Sequence, residues 1–295
     1  GYNSVSVSEG RVYTMGNEDN TDTIYCLDAN TGKEVWRYSY PCNADANGRP
    51  GTASSPTIDG KKVYTLSREG HLFCFDAASG KVIWTKIIRE LGAKTPEWGF
   101  ATSPLILDNM MIIDAGMAIA LDKSTGNLVW KTRDYGESWG IKNQGGGYSS
   151  PVVFSLNGTK KLAVFNSSGL VILNPKTGQE LMLHPWKTSY NINAATPVIS
   201  GDRVFISSGY DVGSALVQVS GSKPVVVWES KNMRNHFASC VLWQGYLYGF
   251  DESQLKCLDW QNGNVKWDRK GLGKGSLMLA DGKLIILGEG GDLVI

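Results

Sequence analysis

Short runs of alternating apolar and polar residues, broken by turns rich in Gly and Asp, follow one another along the chain. The segment "ASSPTIDGKKVYTLSREGHLFCFDAASGKVIWTKI" shows the pattern. It predicts four strands, A to D, near 55–58, 62–67, 71–76 and 82–87, joined by the hairpin turns "DGK", "REG" and "AASG". The turn between strands C and D recurs in register. Gly32, Gly80, Gly126, Gly178 and Gly263 each follow an Asp or Asn by four residues, at Asp28, Asp76, Asp122, Asn174 and Asp259. Gly there supplies a positive φ while the acidic or amide side chain accepts backbone N–H groups of the turn. Four residues after each Gly stands Trp36, Trp84, Trp130, Met182 or Trp267. A further copy loses the turn consensus, in "VSGSKPVVVW", and regains its tryptophan at Trp228.

These markers repeat every 39 to 52 residues, the period of a four-stranded propeller blade. The predicted fold class is therefore all-β, a β-propeller of four-stranded antiparallel blades. Six full blades are present, and residues 276–295 supply strands A, B and C of a seventh. "GYNSVSV" at the start reads as strand A of blade one. The expectation is one propeller domain over 1–295, cut short at its closing blade. A Pro preceded by Ser or Thr opens strand A at Pro56, Pro104, Pro151 and Pro197, as suits an innermost strand whose first N–H lacks a ladder partner.

Composition narrows the function. Lys and Arg number 29 against 28 Asp and Glu, a net charge of +1, so the chain has no basic field for nucleic acid. No apolar run approaches a membrane-spanning length, and the given chain shows no signal peptide. Of the five cysteines, Cys26, Cys74 and Cys257 occupy a repeat position that elsewhere holds Ala120 or Ile172, so they are core slots and not bridge partners. Cys42 and Cys240 are left as unpaired thiols. His71, His184 and His236 fall in different blades without metal-ligand spacing, and no metal site is expected from them. The acidic loop "GNEDNTD", with Glu18, Asp19 and Asp22, reads as a solvated hairpin tip.

With D-x-x-T-G-K-x-x-W in view, the chain resembles the PQQ-like β-propeller repeat proteins, which include quinoprotein dehydrogenases and a lipoprotein scaffold of outer-membrane assembly. The resemblance implies an eight-bladed ring, with seven blades as the alternative, and a periplasmic or extracellular location. It also implies that Trp36, Trp84, Trp130, Trp228 and Trp267 dock one blade on the next. PQQ and Ca²⁺ enter by that analogy alone, because the chain has no Cys-Cys pair. The leading expectation is a non-catalytic binding or scaffold propeller, with no catalytic set, recognising a protein partner or a small-molecule or carbohydrate ligand. Its binding face would be built from the D–A and B–C loops, where the copies differ most. Those loops carry the candidates Arg49, Arg68, Trp98, Tyr148, Tyr210, Asn235, His236 and Lys274. The alternatives are a PQQ-dependent oxidoreductase acting on alcohols or sugars, and a hydrolase with a carboxylate pair in the funnel.

Overall fold

A computed structural model describes residues 3–43, 51–136 and 146–295. Arg49 lies outside the described residues. Seven antiparallel sheets run through the described chain, each a meander in sequence order. Contacts divide it into two compact units.

The first unit comprises Gly1–Pro151 with Lys176–Gly178. Sheet 1 is formed by Ser6–Ser8, Arg11–Glu18, Thr21–Asp28 and Glu34–Pro41. Sheet 2 has Thr57–Asp59, Lys62–Leu66, His71–Asp76 and Val82–Ile87, and sheet 3 has Leu105–Leu107, Met110–Asp114, Ala118–Asp122 and Leu128–Lys131. The second unit comprises Val152–Pro175 and Gln179–Ile295. Its sheet 4 is Val152–Leu156, Thr159–Asn166, Gly169–Leu173 and Glu180–Pro185, and its sheet 5 is Val198–Ser200, Arg203–Ser208, Gly213–Gln218 and Val225–Ser230. Sheet 6 is Val241–Trp243, Tyr246–Asp251, Gln254–Asp259 and Val265–Arg269. Sheet 7 has three strands, Ser276–Ala280, Lys283–Leu287 and Leu293–Val294. The strands expected near 55–87 are thus in place, with strand A two residues later than the pattern suggests.

The repeat peptide is a turn with a fixed geometry. Gly32, Gly80, Gly126, Gly178 and Gly263 have φ between 69° and 72°. In four of these turns the Asp carboxylate accepts a nearby backbone N–H, for example Thr31 N to Asp28 Oδ1 at 2.8 Å and Thr125 N to Asp122 Oδ1 at 2.9 Å. Hydrogen bonds from the side chain and backbone of Thr31 and Thr125 hold these two carboxyls below the usual carboxylate range. Directly across from four of the five docking tryptophans sits the repeated small slot: Cys26 pairs with Trp36, Cys74 with Trp84, Ala120 with Trp130 and Cys257 with Trp267, while Trp228 faces Leu216. A register shift follows each pair, so each of these C–D hairpins carries a bulge at the same place. All five cysteines are free and buried.

The tryptophans reach out of their own sheet. The ring of Trp36 covers Gly80, that of Trp84 covers Gly126, that of Trp130 covers Gly178 and that of Trp228 covers Gly263, so closely that a Cβ on any of these glycines would stand 2.5 to 2.8 Å from the indole. Indole N–H groups donate onward to the carbonyls of Ala77 (3.0 Å), Lys123 (3.2 Å) and Trp260 (2.9 Å), again in the next sheet. Trp36, Trp84 and Trp130 are each 8% exposed, whereas Trp267 is 42% exposed. At the other edge of the sheets the Ser that opens strand A, before Pro56, Pro104, Pro151 and Cys240, has a use that the sequence pattern does not reveal. Ser4 N donates to Ser55 Oγ (2.8 Å), Ser55 N to Ser103 Oγ (3.0 Å), Ser103 N to Ser150 Oγ (2.9 Å) and, in the second unit, Thr196 N to Ser239 Oγ (2.8 Å). The N–H groups that strand A leaves unladdered are therefore satisfied by the hydroxyl of the next repeat.

Candidate functional site

In the second unit three loops present aromatic rings to solvent. Tyr190 lies on the D–A loop after sheet 4, Tyr210 on the B–C turn of sheet 5, and Phe237 on the D–A loop after sheet 5. They are 51%, 39% and 47% exposed. The rings form a continuous row: Tyr190 to Tyr210 is 5.8 Å between centroids, Tyr210 to His236 is 4.5 Å and His236 to Phe237 is 5.5 Å.

Each loop is held from beneath. Asn193 Nδ2 donates to the Asn166 carbonyl (2.6 Å), its Oδ1 accepts from Ser208 Oγ (2.7 Å), and Trp186 Nε1 donates to that same hydroxyl oxygen (3.1 Å). This buried chain fixes the loop that carries Tyr190. Tyr210 and Asp211 both adopt left-handed backbone, φ 56° and 60°, in a turn closed by Val212 N to the Gly209 carbonyl. A bulky Tyr in that region costs about 1 kcal/mol or more, and the surroundings enforce it. Gly209 is required by close approach, since a Cβ there would meet the His236 ring at 2.5 Å.

Ionic groups brace the row. Asp251, 2% exposed, accepts from Arg234 Nε (2.7 Å) and Nη2 (3.0 Å) and from Lys256 Nζ. Burial works to raise its pKa, and the Arg234 and Lys256 bonds outweigh that, leaving the carboxyl below its usual range. Arg234 also reaches Asp211, which Lys231 holds from the other side at 2.7 Å. His236 contacts Glu252 through Nε2. Its pKa is lowered, first by burial and then by Lys274, against the pull of Glu252. Among the described residues its Nδ1 has no hydrogen-bond partner.

The sequence candidates divide accordingly. Tyr210 and His236 come together in this row, and Lys274 is exposed beside it, its backbone N–H donating to Glu289 (2.9 Å). Asn235 is 2% exposed and bonded to Ser207, the Phe250 carbonyl and Cys240, so it braces the loop instead of facing solvent. In the first unit Arg68 is 4% exposed, its stem packed where a Gly99 Cβ would stand. Trp98 and Tyr148 pack against each other there at 6.1 Å. Burial pushes the Tyr148 phenol up, against a backbone hydrogen bond from Trp98. Tyr190 and Phe237 were missed by sequence reasoning. The available signal was their position on the same class of loop as Tyr210.

A second cluster lies in the first unit, where Cys42, Glu69 and His71 offer donor atoms within 4.8 Å of one another. Asp22, expected at a solvated tip, is instead fully buried beside it and accepts from Tyr40 Oη (3.0 Å) and Asn17 Nδ2 (2.8 Å). Strand alternation explains the difference, because Asp22 alternates with the buried Ile24 and Cys26 while the exposed Glu18 and Asp19 flank the turn. Burial and the Asp22 charge push the Cys42 thiol up to about 12.

A family described as outer membrane protein assembly factor BamB matches residues 20–269. The chain belongs to this family. Among solved structures, BamB from Moraxella catarrhalis superposes with a TM-score of 0.71 at 18% identity, over 98% of this chain and 80% of that one. A europium-containing methanol dehydrogenase gives 0.70 at 16%, over 96% and 72%. Both show the fold, the PQQ-like β-propeller. Tetrathionate hydrolase of Acidithiobacillus ferrooxidans is 26% identical over 204 residues, 64% of this chain and 38% of the hydrolase, so the chain spans well under half the length of that relative. No helix among the described residues is long and apolar enough to cross a membrane.

The Ca²⁺ that the PQQ-like resemblance implies takes oxygen ligands. Among the described residues the only group of three His, Cys, Asp or Glu donors at metal spacing contains a thiol and an imidazole. The sequence also lacks the Cys-Cys pair. That donor group does not suit Ca²⁺.

Proposed function

We propose that this chain is an exported scaffold propeller that binds a protein partner in outer-membrane protein assembly. The observation that carries the reading is the row of exposed rings on D–A and B–C loops. Aromatic side chains with a flanking Arg, held rigid before any partner arrives, are the usual composition of a binding hot spot, because little side-chain entropy is left to lose. Membership in the BamB family supports the kind of partner. A hydrolytic reading is less well supported by this loop cluster, because Asp211 and Asp251 are both engaged by Arg234.

The test is a double substitution, Tyr210→Ala with Phe237→Ala. Recovery of the outer-membrane assembly machinery from a solubilised envelope fraction is expected to fall at least about tenfold, which corresponds to about 1.4 kcal/mol. The melting temperature should move by no more than about 2 °C, since both side chains are substantially exposed. Unchanged recovery, or loss explained by a large drop in stability, would reject this surface as the binding face.

A further inference from the structure

We propose that Cys42, Glu69 and His71 form a zinc site with one coordination position open. Cys42 follows strand D of sheet 1, while Glu69 and His71 flank the tip of the B–C hairpin of sheet 2. The three donor atoms lie within 4.8 Å of one another. Tetrahedral zinc with sulfur, nitrogen and oxygen ligands needs donors about 3.3 to 3.8 Å apart, so a contraction of about 1 Å by side-chain rotation would close the site.

The backbone on both sides is fixed. Cys42 N donates to the Asn20 carbonyl (2.9 Å) and the Cys42 carbonyl accepts from Asn17 Nδ2 (3.0 Å). His71 N donates to Ser67 Oγ (2.8 Å), and Ser67 N returns a bond to the His71 carbonyl (2.9 Å). The polar groups around the donors are those that orient metal ligands elsewhere. Ser67 Oγ stands 3.1 Å from His71 Nδ1, and Asn43 N donates to Glu69 Oε2 at 3.1 Å. Cys42 is buried and the other two donors are half-buried, which gives a dry sulfur and a route in from solvent.

An independent feature points to a cation. Asp22 is fully buried next to Cys42, and the groups that hydrogen-bond to it among the described residues, Tyr40, Asn17 and the Cys42 thiol, are neutral. Buried carboxylates ordinarily have a cationic partner or a metal. A divalent ion on the neighbouring donors would supply that charge. The donor set selects the metal: thiolate with imidazole excludes Ca²⁺ and Mg²⁺ as matched ligands and suits zinc, and three protein ligands leave a fourth position for water or a partner's side chain. Binding forms a Zn–S bond and releases the Cys42 proton to solvent.

The test uses the whole chain, stripped with a chelator and titrated with Co²⁺ in place of Zn²⁺. One equivalent should give a thiolate-to-cobalt charge-transfer band in the near ultraviolet with tetrahedral d–d bands in the visible, and Zn²⁺ should abolish both. Cys42→Ser is expected to remove the charge-transfer band. Glu69→Gln and His71→Gln, which alter partly accessible side chains, should each weaken Co²⁺ binding by about 10- to 100-fold, and they keep the test decisive if Cys42→Ser does not fold. No charge-transfer band at saturating Co²⁺, a band that persists in Cys42→Ser, or unchanged affinity in both Gln variants would overturn the site.

Discussion

Trp84→Ala is expected to destabilise the protein by about 3 to 5 kcal/mol in urea unfolding followed by tryptophan fluorescence and circular dichroism. The side chain is 8% exposed, it covers Gly126 of the following sheet, and its indole N–H donates to the Lys123 carbonyl. Truncation removes the ring from a seam between sheets and takes from the Lys123 carbonyl one of its two donors, the other being Tyr64 Oη at 3.0 Å. The sharper measurement is a double-mutant cycle with Gly126→Ala. Gly126 has φ 72°, which costs an alanine about 1 to 2 kcal/mol in any background. Its new Cβ would also stand 2.8 Å from the Trp84 ring, and that clash exists only while the ring is present. The two substitutions together should therefore cost less than the sum of their separate effects, by about 0.5 to 3 kcal/mol. Strict additivity would mean that the ring does not bear on the glycine.

The second large effect is a gain. Asp114 ends strand B of sheet 3 with no exposure. One carboxylate oxygen accepts the Gly116 N–H at 3.2 Å and the other has no hydrogen-bond partner among the described residues. Burial pushes this carboxyl from 3.8 up to about 7, with the Gly116 bond acting the other way. A folded pKa above the unfolded one means that the native state binds the proton more tightly. The contribution of Asp114 is therefore fully present below about pH 4, declines as pH rises, and is gone above about pH 7. Asp114→Asn removes that decline. The amide and the neutral carboxyl make nearly the same demand on the pocket, so the variant should match the parent near pH 4. It should exceed it by up to about 4 kcal/mol at pH 8, since a tenfold difference in proton affinity between the folded and unfolded chains corresponds to about 1.4 kcal/mol. Unfolding both proteins at several pH values tests this, and a difference that does not change with pH contradicts it. His71, His184 and His236, all lowered chiefly by burial, give the parent an opposite slope, with stability lost as pH falls below about 6.5. Subtracting the two curves isolates Asp114.

The sheets were legible in the sequence because their determinants are local. A Gly at φ near 70°, an Asp four residues before it and a Trp four residues after it lie within one hairpin, and strand alternation needs only nearest neighbours. What joins one repeat to the next was less legible. The serines at the start of strand A, before a proline in three copies and before Cys240 in a fourth, act on partners 43 to 51 residues away, and only superposed repeats bring them together. Cys42 meets Glu69 and His71 for the same reason, across a loop and a sheet. Asp22 was misplaced because a run of acidic letters conceals which residue alternation turns inward. Among the loop candidates, residue type drew attention to Asn235 and Arg68, whereas burial determines that they brace the loops and that Tyr190 and Phe237 face outward.

The indole over the glycine implies something about how such a chain can be recombined. The group that folds as a sheet runs from strand A to strand D, but the group that must change together runs from one tryptophan to the next repeat's turn. Sheet 4 carries Met182 where its neighbours carry Trp, and sheet 5, which follows it, has lost the Gly turn that a Trp would cover. The two departures fall on one seam. A repeat spliced out from Trp84 to the residue before Trp130 would carry one whole seam away and leave a Trp facing a Gly. A cut at the sheet borders would also preserve strand order, yet it would keep that match only where both donors use the same seam. The natural module for grafting is thus out of step with the blade.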